Sequence, residues 1–341
     1  MQKCGIVGTG SIAKWHYEAI EATGKGMVTG ACSRNREKLA VFCEAYQIKA
    51  YSSYEEMLSD QSIDVICICT PSGLHSEMII KASNAGKNIV VEKPMAITKK
   101  QCDEVIKALE KNRTLLSVAY QSRFSDSFVA VKKAINDGVL GKIMFADVYM
   151  KFYRSEEYYS TSSWKGTMTM DGGGALMNQG SHGVDIMLFL MGEADSVYAN
   201  ARTLKHKIEA EDTVAAVVEY KQGAIGVIQA STGIYPGLPR KIMIHGEKGS
   251  VVIEEDVITM FETVNRSIPE GIIIGRNDDF SASDPTAFSI DGHVAIYRNA
   301  FDSFLHKKIP LVNQYEARKS VSLIEAIYES SLKKKLVMVS E

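Results

Sequence analysis

The chain has 341 residues, 45% of them hydrophobic, and a formal net charge of -2. That length supports two hydrophobic cores, and the near-neutral balance leaves no electrostatic footprint for nucleic acid or an anionic membrane. No apolar run is long enough to span a bilayer, and Met1-Gln2-Lys3 leads straight into a strand pattern rather than an apolar leader, so a soluble cytoplasmic protein is expected.

In chain order, the first 120 residues alternate short apolar runs with helical patterns. Cys4-Gly5-Ile6-Val7-Gly8 reads as a strand, residues 11–21 as a helix, 27–33 as a second strand and 34–46 as a second helix. A strand over 64–69 with a helix from about Leu74, a strand over 88–92 with a helix from about Thr98, and a strand over 114–119 complete the series. Unbroken apolar runs indicate strands buried on both faces of a parallel sheet. The intervening helices make right-handed βαβ units. The six cysteines, Cys4, Cys32, Cys43, Cys67, Cys69 and Cys102, all fall in this part and show no C-x-x-C or zinc spacing. They read as small hydrophobes in a reducing compartment, and no metal site is expected.

After about residue 120 the pattern changes. Residues 142–153, 196–203, 213–220, 224–231, 240–245, 250–255 and 257–262 read as strands. Lys221-Gln222-Gly223 and Gly246-Glu247-Lys248-Gly249 are hairpin turns too short to join parallel neighbours, so this sheet is antiparallel. Helices are expected over 125–137, 174–191, 293–307 and 315–334. Residues 268–287, rich in Gly, Asp, Ser and Pro, read as a long loop near the site or an interface.

Gly8-Thr9-Gly10-Ser11-Ile12-Ala13 is a G-x-G-x-x-A turn between the first strand and first helix. Gly8 permits the tight turn, Gly10 lets a pyrophosphate approach the backbone, and the small Ala13 lets helix pack on strand. Phosphates then meet free N–H groups at the helix start, around Ser11 and Ile12. A Rossmann-type dinucleotide site follows. The second strand ends at Ser33-Arg34, where an acidic residue would hold the ribose 2′-OH of NAD roughly twenty residues beyond the turn. A hydroxyl and a guanidinium suit a 2′-phosphate instead, which favours NADP over NAD, with dual use open; Arg34 at a solvated helix start is the alternative. Thr70-Pro71 follows the next strand, at the strand ends where open α/β sheets bind ligands, and is expected to touch the dinucleotide. His75 shares that position and is equally readable as a structural histidine.

Glu92-Lys93-Pro94 closes another parallel strand, displaying a lysine at the cofactor crevice. Such a cation donates to a substrate hydroxyl and stabilises charge developing on oxygen. Within the predicted helix 174–191, Asn178, His182 and Asp185 recur at i, i+4 and i+7, within roughly 60° of one another. They form a polar stripe on an otherwise apolar helix. Tyr120, Gln121 and Arg123 end the last parallel strand, where cofactor and substrate would meet. Trp164 and Lys165, before the glycine run, either wall the site or pack at a domain interface. Tyr153, Arg154, Tyr235 and His293 are weaker candidates.

Together the G-x-G-x-x-A turn, Glu92-Lys93-Pro94 and the run Gly172-Gly173-Gly174-Ala175-Leu176-Met177-Asn178-Gln179-Gly180-Ser181-His182-Gly183-Val184-Asp185 closely resemble the Gfo/Idh/MocA oxidoreductases. The resemblance spans essentially the whole chain. It implies an α/β protein: a Rossmann doubly wound parallel sheet over 1–120, and a C-terminal α/β domain over 121–341 with a large open, mainly antiparallel sheet that often mediates oligomerisation. A homodimer or homotetramer is therefore expected. It also implies that Lys93 is catalytic, with Lys93–Pro94 a candidate cis peptide. His182 then takes the hydroxyl proton, Asn178 positions substrate, and Asp185 fixes the imidazole or pairs elsewhere. Glu92 and Lys93 count among the cofactor-binding residues, and Gln121, Arg123, Trp164 and Asp185 among those facing substrate. Inositol-dehydrogenase-like members carry aspartate at the position of Asn178, so a proton relay through that side chain is lost here.

The expected activity is hydride transfer between NAD(P) and a hydroxyl-bearing carbon of a sugar, polyol or sugar derivative. Two alternatives use the same fold: a redox-assisted glycosidase with no net cofactor turnover, and a non-enzymatic nucleotide sensor, which would not need Lys93 and His182. The partner expected is a small carbohydrate-like molecule, with no nucleic acid and no membrane.

Overall fold

The computed structural model describes residues 1–276 and 289–339. The chain clusters into two compact units, one comprising Met1–Gln121 with Ser289–Arg318, the other beginning at Ser122 and resuming at Lys319. Residues Ser289–Arg318, counted with the second domain on sequence, cluster with the first unit instead. Of the expected loop over 268–287, residues 277–287 lie outside the described residues.

In the first unit, strands β1 (Gln2–Val7), β2 (Gly26–Cys32), β3 (Lys49–Ala50), β4 (Val65–Ile68), β5 (Asn88–Val91) and β6 (Leu116–Val118) form a six-stranded sheet in the order β3-β2-β1-β4-β5-β6. Every pairing is parallel. Ile6, Val65, Ile66, Cys67, Ile68, Ile89, Val90 and Val91 are fully enclosed, as strands covered on both faces must be. The helices are α1 (Ser11–Ala22), α2 (Arg36–Tyr46), α3 (Tyr54–Ser59), α4 (His75–Asn84) and α5 (Lys99–Asn112). Helix α2 starts two residues later than its apolar pattern suggests, because Asn35 caps it by accepting the Lys38 N–H at 2.9 Å. Arg34 consequently sits in the exposed turn before the cap. The six cysteines are all free and buried, and burial pushes the Cys32 thiol up to about 12.

The second unit contains α6 (Asp126–Asn136), β7 (Ile143–Lys151), α7 (Glu156–Ser160), α8 (Ser181–Met191), β8 (Ala194–Arg202), β9 (Thr213–Tyr220), β10 (Ile225–Ser231), β11 (Lys241–Gly246), β12 (Gly249–Glu254) and β13 (Val257–Thr263). After α9 (Asp291–Leu305) of the first unit come α10 (Gln314–Lys333) and β14 (Val337–Met338). The eight-stranded sheet runs β13-β12-β11-β7-β10-β9-β8-β14. All its neighbours are antiparallel except β7 and β10, which pair in parallel from Phe145↔Ile225 to Lys151↔Ser231. One face is packed, with Ala146, Val148, Ala216, Val218, Ile228, Ile242 and Ile253 buried. On the other, Tyr198, Val217, Val227, Asp147, Met243, Val252 and Met260 fall in one row across seven strands.

The expected helix over 174–191 is two pieces. Residues Ala175–Gly180 form a π turn and α8 follows from Ser181. The wider turn breaks the 3.6-residue phase on which a single polar stripe depended. Added β-carbons on Gly180 and Gly183 would meet Met150, the latter at 2.3 Å from its sulfur. These glycines therefore let the helix lie directly on β7. Among the described residues no helix is long and apolar enough to cross a membrane.

Candidate active site

The crevice in the first unit is built at the strand order reversal between β1 and β4. Gly8 has φ +91°, and a β-carbon there would lie 2.7 Å from the Cys69 carbonyl oxygen, so only glycine fits the turn. Gly10 differs: a β-carbon would meet nothing within 4 Å. The fold itself does not need that glycine, whereas a phosphate approaching the backbone does. Helix α1 begins with no side-chain cap and no acidic residue in its first turn, a helix start whose N–H groups around Ser11 and Ile12 suit an anion. Ala13 is wholly buried, as the close packing of helix on strand requires. These residues fit a dinucleotide. Ser33 is half-buried and Arg34 exposed beside it at the end of β2.

His75 lies between two loops at the neighbouring strand ends. Its Nδ1 lies 2.7 Å from the Pro94 carbonyl and its Nε2 2.9 Å from the Thr70 carbonyl. The ring is buried and lowered in pKa by desolvation. A neutral ring has one N–H and donates to only one of these two carbonyls, so His75 sits between the Thr70-Pro71 and Lys93-Pro94 loops and bonds to one of them, the structural role that the sequence left open beside a cofactor contact. The Lys93–Pro94 peptide is cis. Glu92 likewise faces inward: Oε1 is 2.8 Å from His16 Nε2 and Oε2 accepts the Lys93 N–H at 3.2 Å. His16, Glu92, His293 and Tyr297 form a buried cluster unforeseen from sequence, where His293 was only a weak candidate. Its members come from α1, the end of β5 and α9, too distant in the chain for any local pattern to join them.

In the second unit, the helix start carrying the glycine run is held by Glu211. Its carboxylate accepts the Gly174 N–H at 2.9 Å, the Leu176 N–H at 2.7 Å and the Tyr328 hydroxyl at 2.9 Å. Burial raises that carboxyl above its ordinary range, and the N–H and hydroxyl donors offset the rise only in part. A β-carbon on Gly174 would stand 2.1 Å from the Glu211 carbonyl oxygen, so the glycine is required for this approach. Asn178 donates from Nδ2 to Asp171 at 2.6 Å and accepts from Gln179 Nε2 at 3.2 Å. Gln179 also donates to the Tyr158 hydroxyl and accepts from the Arg154 guanidinium. Lys165 lies 3.9 Å from the centre of the Tyr158 ring. Asn178 is thus orientated by a buried carboxylate, Asp171, whose only sequence signal is its place directly before the glycine run. His182 follows on the first turn of α8 and is half-buried, as are Trp164 and Gln121.

Arg123 and Asp185 were expected to face substrate, with pairing elsewhere open for Asp185; they are bound to each other. Arg123 Nε and one terminal nitrogen donate to the two Asp185 oxygens, each at 2.8 Å, and Ser320 adds a hydroxyl at 3.2 Å. Both side chains are at most 2% exposed. This fork pins α8 to the segment before α6 and to α10. Lys93 belongs to the first unit, and Asn178 and His182 to the second.

Residues 2–120 match the family described as "Oxidoreductase family, NAD-binding Rossmann fold", and residues 128–252 match the GFO/IDH/MocA C-terminal domain. The WlbA dehydrogenase from Bordetella pertussis, solved in complex with NADH and UDP-GlcNAcA, is 32% identical, with TM-score 0.89 and 99% of both chains covered. The scyllo-inositol 2-dehydrogenase (NADP(+)) IolW of Bacillus subtilis is 28% identical, over 99% of this chain and 96% of its own. Levoglucosan dehydrogenase, at 22% identity, TM-score 0.85 and full coverage of both chains, shares the fold.

Proposed function

The chain belongs to the Gfo/Idh/MocA family of NAD(P)-dependent oxidoreductases, and from that premise we propose that it transfers hydride between a nicotinamide and a hydroxyl-bearing carbon of a sugar, polyol or sugar derivative in the cytoplasm. The observation that carries this reading is Lys93, placed at the carboxyl end of a buried parallel strand in the dinucleotide sheet, its peptide N–H held by Glu92. A bound nicotinamide dinucleotide supplies the hydride acceptor or donor. His182 takes the hydroxyl proton, Lys93 steadies the negative charge on that oxygen, and Asn178, orientated by Asp171, positions the substrate. The lost carboxylate at position 178 is offset by Asp171 behind it, although an amide between them passes on orientation and not a proton.

Within this class we infer an acidic sugar. Arg154 and Lys165 gather around Tyr158, one hydrogen bond from Gln179 and Asn178, and the WlbA relative was solved with UDP-GlcNAcA. The apolar row of Tyr198, Val217, Val227, Met243, Val252 and Met260 around Asp147 supports a second copy of the chain as partner, since Tyr198 and Val217 are over 40% exposed.

The test is absorbance at 340 nm across neutral sugars, polyols, inositols, uronic acids and nucleotide-linked sugar acids, with NAD and NADP in both directions. Reduction is expected with an acidic carbohydrate and preferentially with NADP. Arg34→Ala is expected to weaken NADPH binding about tenfold, the worth of one charge-assisted bond, with NADH affected less than about twofold. Equal losses for both cofactors would remove Arg34 from the 2′-phosphate.

A further inference from the structure

Around Glu92 the first unit holds a chain of buried polar groups that runs from α9 to the catalytic loop. His16 is 1% exposed and its two ring nitrogens are both engaged, Nδ1 at 2.6 Å from the Tyr297 hydroxyl and Nε2 at 2.8 Å from Glu92 Oε1. His293 Nε2 stands 3.7 Å from the same oxygen, and Glu92 Oε2 takes the Lys93 N–H. Donor arithmetic fixes the direction of this chain. Burial lowers His16 towards the neutral ring, which has a single N–H to give, and the Glu92 carboxylate can only accept it, which leaves Nδ1 to accept from the Tyr297 hydroxyl. The His16 proton must then sit on Nε2 and point at Glu92. Burial alone would raise the Glu92 carboxyl, but the two imidazoles outweigh it and hold it well below the usual carboxylate range. The other groups facing it are Cys69 after β4 and His75 at the start of α4.

We propose that His16 and Tyr297 are positioning residues for the reaction, acting through Glu92 on Lys93. Tyr297 sets the tautomer of His16, and His16 holds the Glu92 carboxylate in one orientation. Glu92 in turn fixes the peptide of Lys93 through its N–H and is its chain neighbour, carrying a negative charge mostly withdrawn from solvent. A neighbouring carboxylate favours the protonated lysine, the form that can stabilise an alkoxide. The ligand-type atoms of His16, Glu92 and His293 lie within 4.8 Å of one another, as in a two-histidine, one-carboxylate metal set. An ion on His16 Nε2 would displace the 2.8 Å bond to Glu92, whereas the proton-ordered chain uses both His16 nitrogens as they stand.

This inference rests on Lys93 being the catalytic ammonium, but its test does not require turnover. Trace acetic anhydride labelling of the full chain, read at the Lys93 peptide by mass spectrometry from neutral to alkaline pH, reports the free-amine fraction directly. Glu92→Gln is expected to speed Lys93 labelling at neutral pH about tenfold, equivalent to one pKa unit. Tyr297→Phe, which removes only a hydroxyl and keeps the packing, is expected to give about threefold, with His16→Leu between the two. Affinity for NADPH, followed by its fluorescence, is expected to stay within about twofold in Tyr297→Phe. Lys93 profiles that superimpose on wild type in both Glu92→Gln and Tyr297→Phe would overturn the proposal. So would a wild-type profile that shifts when EDTA is added and returns with zinc. Were labelling to change as expected while no carbohydrate is turned over, the positioning chain would stand and the dehydrogenase reading alone would fall.

Discussion

Lys93→Met is expected to lower hydride transfer about a thousandfold while NADPH binding weakens far less. Methionine keeps an unbranched stem of similar bulk and removes the ammonium with its charge and donors. The loss is the stabilisation that one preorganised cation gives to charge developing on the reacting oxygen, together with its share in proton transfer. The dinucleotide turn at Gly8 and the uncapped start of α1 belong to a different strand end, so most of the cofactor affinity is expected to survive the change. Single-turnover absorbance at 340 nm, beside a fluorescence titration of NADPH, reads the two effects. A variant that retains more than a tenth of wild-type hydride transfer would remove Lys93 from the chemistry.

The second large effect is on stability. Asp185→Leu is expected to cost about 3–5 kcal/mol, because it strands a buried guanidinium that now lacks its bidentate partner. Arg123→Leu should cost a similar amount by stranding the carboxylate. The double variant, with both charges gone from a site at most 2% exposed, should recover most of the loss, since apolar replacement of a whole buried pair is often neutral. Urea unfolding of the four chains gives the coupling energy directly. If Asp185→Leu folded as stably as wild type and instead lost activity, the carboxylate would return to the substrate side, where the helical periodicity first placed it.

What was legible in the sequence follows the range of each interaction. The parallel strands were readable because burial on both faces leaves unbroken apolar runs, and Gly8 because a positive φ against the Cys69 carbonyl admits no other residue. The hairpins of the second sheet were readable from their short turns. The parallel pairing of β7 with β10 was not, since the partners lie 80 residues apart, from Phe145↔Ile225 to Lys151↔Ser231, and leave no local mark. The same limit hid the return of α9 to the first unit and the meeting of His16 with Glu92 and Tyr297. Within the stripe of Asn178, His182 and Asp185, the place of Asp185 was hidden for a different reason. A π turn over Ala175–Gly180 shifts the helical phase, and Asp185 turns into the core to meet Arg123. Asp171 and Glu211, which hold Asn178 and the helix start, act through backbone and amide contacts that carry no motif of their own.

The most direct measurement is the ratio of NAD(P)H formed to carbohydrate consumed, taken with the most active compound of the panel and both quantities determined in the same sample. A dehydrogenase gives one reduced cofactor for each substrate oxidised, and the ratio should hold at one through the reaction. Substrate that disappears with no net NAD(P)H, releasing a sugar and an aglycone, would contradict the dehydrogenase reading and assign Lys93 and His182 to redox-assisted glycoside cleavage.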